Sequence, residues 1–218
     1  MSELATRPTT EFAYLEYTNV GSIQNHSYLW PPVLNAIRHL SGSGARILDA
    51  GCGNGTFCGV MRQQFGIEAY GCDLSESGVE LARKNVPGCS FEQVSVYDHF
   101  AEAFGTKFDA IVSIEVIEHL YDPHTFLKRV RESLNPGGLF VITTPYHGYL
   151  KNLLIALTDH SDRHHNPLYT GGHIKFWSRR TLSAALRQAG FESIQFSGAG
   201  RIPYLWKSMV LTAKPTPQ

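Results

Sequence analysis

Apolar residues in the middle of the chain come in short runs, Ile47 to Ala50, Ile67 to Cys72, Phe108 to Ile114 and Leu139 to Thr143, the first three ending at an acid or at glycine and the last at Thr144-Pro145. Runs of this length bounded by turn residues predict buried strands. Helical spacing fills the gaps. Thr56 to Gln64 forms one predicted helix closed by Gly66. Asp122-Pro123 opens another as N-cap and first-turn residue, and it runs through Phe126, Leu127, Val130 and Leu134. Strands and helices therefore alternate from Arg46 to Thr144, which predicts a parallel sheet covered on both faces. Before this stretch, Pro32 begins a helix over Val33 to Leu40. After it, Ser178 caps a helix that Gly190 ends. Phe191 to Phe196 and Tyr204 to Lys214 then read as strands, and the short link from Ser197 to Pro203 suits an antiparallel hairpin. Between Pro145 and about Trp177 no period is visible, only aromatics, histidines and a Gly171-Gly172 pair.

The chemistry concentrates where the first run meets glycine. Ile47-Leu48-Asp49-Ala50-Gly51-Cys52-Gly53-Asn54-Gly55-Thr56 carries a strand into a glycine-rich turn and then a helix, a shape that lets backbone approach a ligand closely. A dinucleotide site requires glycine where Thr56 stands, and Asp49 would repel a pyrophosphate. A zwitterionic amino-acid tail suits an acid beside exposed N–H groups better. The second run ends in Asp73, placed to accept a pair of ribose hydroxyls. Phe108 to Ile114 ends in Glu115-Val116-Ile117-Glu118-His119-Leu120, and Leu134-Asn135-Pro136-Gly137-Gly138 turns the chain into the next strand.

These four motifs, in this order from Ile47 to Thr144, resemble class I S-adenosylmethionine-dependent methyltransferases. The resemblance implies an α/β, doubly wound, mostly parallel seven-stranded sheet with an antiparallel last strand. It implies S-adenosylmethionine as cofactor and S-adenosylhomocysteine as product. It assigns Asp49 to the amino-acid tail, the loop of Gly51, Cys52, Gly53 and Gly55 to the methionine and ribose side, and Asp73 to the ribose hydroxyls. Leu74 and the Val96-Tyr97-Asp98 turn fall where the family contacts adenine, and Glu115 stands beside the cofactor. One domain over 1–218 is expected, with an N-terminal helical cap over 1–42, a cofactor-binding core over 43–145, an inserted substrate segment over 146–177 and a C-terminal helix and hairpin over 178–218.

Glu115, Glu118 and His119 would share a helix face and converge on a divalent cation, or they mark the strand end with local hydrogen bonds. The segment is similar to that of ubiquinone-biosynthesis O-methyltransferases; no metal is assigned from it. A general base needs a pKa near the working pH, which histidine has without perturbation. His147, just beyond the fifth strand, and His173, in the inserted segment, are the candidate catalytic residues. His160 and His164, with Asp159, Asp162 and His165 nearby, would bind zinc from one helix face or lie in a solvated loop. Phe12, Tyr14, Tyr17, Tyr28 and Trp30 cover the cofactor or bury the cap, and Gln24 and His26 are possible ligands of the cofactor carboxylate.

Composition narrows the partners. Nineteen basic and nineteen acidic residues in 218 leave no net charge, so the electrostatic footprint of a nucleic-acid binder is absent. The amino-methylating loop of Asn or Asp, two prolines and an aromatic is missing: Ile114-Glu115-Val116-Ile117 stands in its place. A small-molecule acceptor is expected, and the resemblance implies a hydroxyl oxygen, on a phenolic, quinol or sugar-linked compound. Nitrogen or carbon methylation and a non-catalytic cofactor-binding role are the alternatives. No membrane span or secretory signal is visible. The four cysteines, Cys52, Cys58, Cys72 and Cys89, fit neither a metal nor a disulfide framework and read as reduced. A cytoplasmic monomer or homodimer without integral membrane contact follows.

Overall fold

The computed structural model describes residues 26–217 apart from 166 and 170, so Phe12, Tyr14, Tyr17 and Gln24 lie outside the described residues. Seven strands form one sheet in the order β3-β2-β1-β4-β5-β7-β6. They are β1 (Arg46–Ala50), β2 (Glu68–Asp73), β3 (Ser90–Gln93), β4 (Phe108–Ser113), β5 (Leu134–Pro145), β6 (Phe191–Ala199) and β7 (Ser208–Pro215). The first five pair in parallel. β7 runs antiparallel between β5 and β6, as the hairpin signal predicts.

Among the described residues, eight α-helices connect and cover the strands: α1 (Trp30–Ile37), α2 (Thr56–Phe65), α3 (Glu76–Asn85), α4 (Phe100–Phe104), α5 (Pro123–Ser133), α6 (Tyr149–Leu157), α7 (Ser161–His165) and α8 (Arg179–Gln188). Strand alternation sends successive side chains to opposite faces. Ile47, Ala110, Val112 and Val141 meet α1, α2 and α3 on one side. Leu48, Ile111, Phe140 and Ile142 meet α4, α5 and α8 on the other. Phe140 sits between Phe126 of α5 and Phe191 of β6, with ring centroids 6.3 and 5.5 Å away.

The caps behave as their chemistry dictates. Asp122 accepts from the N–H groups of His124 and Thr125 at the start of α5. Ser178 and Thr181 form a reciprocal capping box on α8, and Gly66 closes α2 in the left-handed region that glycine adopts without strain.

Several boundaries differ from the pattern. Leu134 starts β5 rather than ending α5, and Asn135 to Gly138 lie inside that strand as an irregularity between the Phe108 and Ala110 pairings. β7 begins at Ser208 rather than near Tyr204. The segment after Pro145 is not unpatterned, since it contains α6 and α7. In α6 the pattern is inverted: Lys151 is its buried residue, and Leu150, Leu154 and Leu157 face solvent. A search for one apolar stripe turned to the core cannot find such a helix. Among the described residues, no helix is long and apolar enough to cross a membrane.

Removing the ring that joins the two halves of one core layer tests this packing. Phe140→Ala is expected to lower stability by about 3–5 kcal/mol, read from urea denaturation. A loss below about 1 kcal/mol would show that Phe126 and Phe191 do not depend on it.

Candidate active site

The order of the sheet reverses at β1, with β2 on one side and β4 on the other. In open α/β sheets the crevice beyond the strand ends at such a point receives ligands. Three chain segments converge there: the glycine loop after β1, the end of β2 and the turn after β4. Ser113 Oγ donates to Ala50 O at 3.0 Å and ties the β1 and β4 ends together.

Gly51, Gly53 and Gly55 all have positive φ, at 88°, 53° and 74°. A Cβ on Gly51 would run into Val116 Cγ2, and one on Gly55 into Phe91 and Ala82. The glycines thus serve both turn and packing. The expectation of free loop N–H groups is corrected. Gly51 and Cys52 N–H donate to Cys72 O, Gly53 N–H to Asp73 Oδ2 at 2.8 Å, Gly55 N–H to Cys52 O and Thr56 N–H to Asn54 Oδ1. A loop that satisfies its own donors offers little to a phosphate, which strengthens the case against a dinucleotide.

Carboxylates dominate the crevice. Asp49 is buried, with Oδ2 3.9 Å from Cys58 Sγ and Oδ1 without a hydrogen-bond partner among the described residues. Burial, and then the neighbouring Asp73, push its pKa up to about 7. Asp73 also accepts the Ser75 N–H at 2.9 Å, and burial outweighs its backbone donors to leave its pKa raised. Backbone N–H groups of Gly53, Ser75 and Leu74 thus take up most of the Asp73 lone pairs, and what remains is open to a hydroxyl. Glu115 has φ 55°, a strained value for a residue with a side chain. It is held there by Thr143, whose Oγ1 accepts from its N–H at 3.0 Å and donates to Oε1 at 2.9 Å. Ser208 Oγ donates to Oε2 at 3.1 Å. Burial raises Glu115 to about 7.

Glu118 is fully buried, accepting from Thr144 Oγ1 at 3.0 Å, and burial followed by the Glu115 charge holds its pKa well above the usual carboxylate range. Residues Ile117–His119 form a 3-10 turn, not an α-helix, so the grouping of Glu115, Glu118 and His119 on one helix face is corrected. The polar atoms that gather are instead those of Glu118, His119 and His173, all within 4.8 Å of one another. The inserted segment is pinned to this turn: Ile174 and Lys175 N–H both donate to Glu118 O.

Beside Glu115 opens a cavity of about 220 Å³ lined by Tyr28, His147, Lys151, His173, Arg201 and Ser208 among others. A larger one of about 380 Å³ lies at the opposite, amino-terminal ends of β1 and β4, around Arg46 and Asp109, away from the converging carboxylates. His147 is 7% exposed and its Nε2 has no hydrogen-bond partner among the described residues. Burial, then the Lys151 charge, lower its pKa to about 4. His173 is likewise brought to about 4, first by burial. His164 and His165 gather against His147, with ring centroids 5.9 and 5.8 Å from it. His160 turns back to Thr158 O, so His160 and His164 do not form the zinc pair considered from sequence.

Of the other expected positions, Leu74 is 38% exposed. Val96 and Tyr97 pack partly into the core, and Asp98 Oδ2 accepts from Ser95 N–H. Tyr28 OH lies 2.8 Å from Ser208 Oγ, whereas Trp30 packs on Phe57 at 5.9 Å. His26 is exposed at the surface. Sequence reading missed Lys151, Arg201, Thr143 and Ser208. Only Lys151 carried a signal, as the lone charge in the apolar run Tyr149 to Leu157.

A family model described as a methyltransferase domain matches residues 23–195. The chain belongs to the methyltransferase family. It is 30% identical over 168 residues to a ubiquinone biosynthesis O-methyltransferase of Ruegeria pomeroyi, a match covering 76% of this chain and 67% of that one. The fold is shared with a magnesium protoporphyrin IX methyltransferase of Synechocystis PCC 6803 solved with bound S-adenosylhomocysteine, at TM-score 0.66 and 18% identity over 92% of this chain and 90% of that one. A methyltransferase of Thermotoga maritima is similar at TM-score 0.65 and 19% identity, over 89% and 93%. The protein is an S-adenosylmethionine-dependent methyltransferase. The site chemistry agrees with a cationic cofactor, because the unpartnered oxygen of Asp49 and the neighbouring carboxylates lack a cation and repel anions.

Two outcomes are expected. Gly51→Ala combines an unfavourable φ with a clash and should destabilise the protein by more than about 1 kcal/mol; adding Val116→Ala should restore only part, because the φ penalty remains. Melting midpoints of the single and double mutants check this. The raised carboxylate Asp49 is protonated more readily in the folded state than in the unfolded one. Its contribution therefore falls as pH rises from about 4 through about 7 and is flat above. Denaturation across that window should show a decline of up to about 4 kcal/mol that Asp49→Asn reduces; an identical slope in the mutant would contradict the assignment.

Proposed function

We propose that the enzyme methylates a hydroxyl oxygen of a small molecule held in the cavity beside Glu115. The observation that carries this reading is adjacency. Val116 packs directly on Gly51, so the glycine loop and the cavity wall are joined through consecutive residues, and a cofactor on the loop faces an acceptor in the cavity. The likeness to a ubiquinone biosynthesis O-methyltransferase supports oxygen as the methylated atom.

In this reading Asp49, Gly51, Cys52, Gly53 and Gly55 hold the methionine and ribose portion, and Asp73 takes the ribose hydroxyls on its remaining lone pairs. Leu74, Val96, Tyr97 and Asp98 border the adenine. When bound, S-adenosylmethionine supplies an electrophilic methyl group on a sulfonium. The chain's task is to hold the acceptor oxygen in line and to remove its proton.

Glu115 suits proton removal better than either histidine, because its affinity for a proton is matched to neutral pH whereas His147 and His173 are set near 4. His147 then acts through its unpartnered Nε2, accepting a hydrogen bond that orients the acceptor. The segment 146–177 forms the acceptor wall, and the division into cap over 1–42, core over 43–145 and C-terminal portion over 178–218 is retained. Free cysteines fit a reducing, cytoplasmic setting.

Nitrogen or carbon methylation would demand less of Glu115, and turnover separates the cases. With phenolic, quinol and sugar acceptors screened by S-adenosylhomocysteine release, Glu115→Gln should lower kcat by about 100-fold or more while S-adenosylmethionine affinity by calorimetry changes little. Unaltered kcat would remove Glu115 from the chemistry. The cluster of Glu118, His119 and His173 favours one second reading, in which a divalent cation polarises the acceptor oxygen. Activity lost to a chelator and restored by magnesium or manganese would support it, and chelator-resistant activity would eliminate it.

A further inference from the structure

The cavity wall carries more positive charge than proton removal needs. Lys151 is 5% exposed, while Leu150, Leu154 and Leu157 of the same helix are 44%, 40% and 72% exposed. α6 thus turns its cation inward and its leucines outward, against the hydrophobic preference of an ordinary surface helix. Lys151 Nζ donates to Lys207 O at 3.2 Å, and no carboxylate lies within ion-pair distance of it among the described residues. A buried ammonium with one carbonyl partner is costly until an anion joins it.

The same cavity is lined by Arg201 and Lys207, and among the described residues Glu115 is the one carboxylate on the lining. Lys207 Nζ lies 5.2 Å from the centre of the Tyr28 ring, which holds that ammonium at the cavity edge. Burial and the Arg201 charge lower Lys151 to about 8. Lys151 in turn helps to hold His147 and His164 near 4, after burial as the main cause. Both imidazoles are thereby held toward the neutral form and add no charge to the wall.

Resting on the reading of this cavity as the acceptor's, we infer that the acceptor carries a compact anionic group, a carboxylate or a phosphate, bound by Lys151, Arg201 and Lys207 with its hydroxyl toward Glu115. Lys151 supplies a point charge deep in the cavity, Lys207 one at its edge, and Arg201 a two-pronged contact at its mouth. The wall thereby separates an anchoring end from a reacting end, and it selects against neutral phenols of the same size.

Calorimetric titration of inorganic phosphate and of benzoate, with benzamide as the neutral control, tests this on wild type, Lys151→Met and Arg201→Gln. S-adenosylmethionine is titrated separately into each protein. At least one anion should bind wild type about tenfold or more tightly than benzamide and lose about tenfold in each folded variant, with S-adenosylmethionine affinity the same throughout. The anion that binds identifies the group. Anion affinity no better than benzamide, or retained in the variants, overturns the inference. Arg201 is exposed, so Arg201→Gln decides the matter if Lys151→Met does not fold. Joint loss of anion and S-adenosylmethionine affinity in Arg201→Gln would assign the cations to the cofactor's own carboxylate, overturning the inference and with it the reading of this cavity as the acceptor's. Failure of wild type to bind S-adenosylmethionine would also bring down that reading and the inference with it.

Discussion

Four carboxylates at one edge of the sheet, Asp49 and Glu118 buried and Asp73 and Glu115 half-buried, are the constraint on which the rest of the site depends. Carboxylates withdrawn from water favour protonation unless donors or cations compensate. Here the compensation is graded. Asp73 takes backbone N–H groups from the glycine loop and from its own helix start. Glu115 takes two hydroxyls, Glu118 takes one, and Asp49 has only a cysteine thiol. None has a cation within ion-pair distance among the described residues. The crevice therefore carries an unmet demand for positive charge, one that a sulfonium cofactor would meet.

The local backbone is arranged around that demand. Positive φ at Gly51, Gly53 and Gly55 bends the loop so that its N–H groups turn inward to Cys72 O, Asp73 and Cys52 O. The carboxylates thus present the loop's outer surface without a competing anion cradle. Glu115 accepts a left-handed backbone to bring its carboxylate to Thr143 and Ser208, which belong to adjacent strands of the sheet. Across the cavity the sign reverses, with Lys151 and Arg201 on segments that come late in the chain. A crevice acidic at one end and basic at the other can order two ligands of opposite charge before any chemistry begins.

Much of this was legible from residue order. Strand ends, the glycine spacing and Asp73 are local signals, and they specify both the alternating architecture and the reversal point at β1. The loop's hydrogen bonding was not legible, because the acceptor for Gly53 N–H is Asp73, which the sheet brings beside it from twenty positions on. The same reason hid His173 as the neighbour of Glu118, since the two meet only when the inserted segment pairs with the turn after β4. α6 escaped because amphipathic reading assumes that leucines face the core, and here a lysine does. The low pKa values of His147 and His173 arise from burial among other bases, which no single-residue rule anticipates.

An unmet demand for positive charge requires buried acids near the glycine loop to ionise when a cationic cofactor binds. Calorimetry of S-adenosylmethionine binding at about pH 6.5, below the range where an α-amino group titrates, in buffers of different ionisation enthalpy measures the protons exchanged. The account predicts net proton release in wild type and a smaller release in Asp49→Asn. No release, or equal release in both proteins, would contradict it.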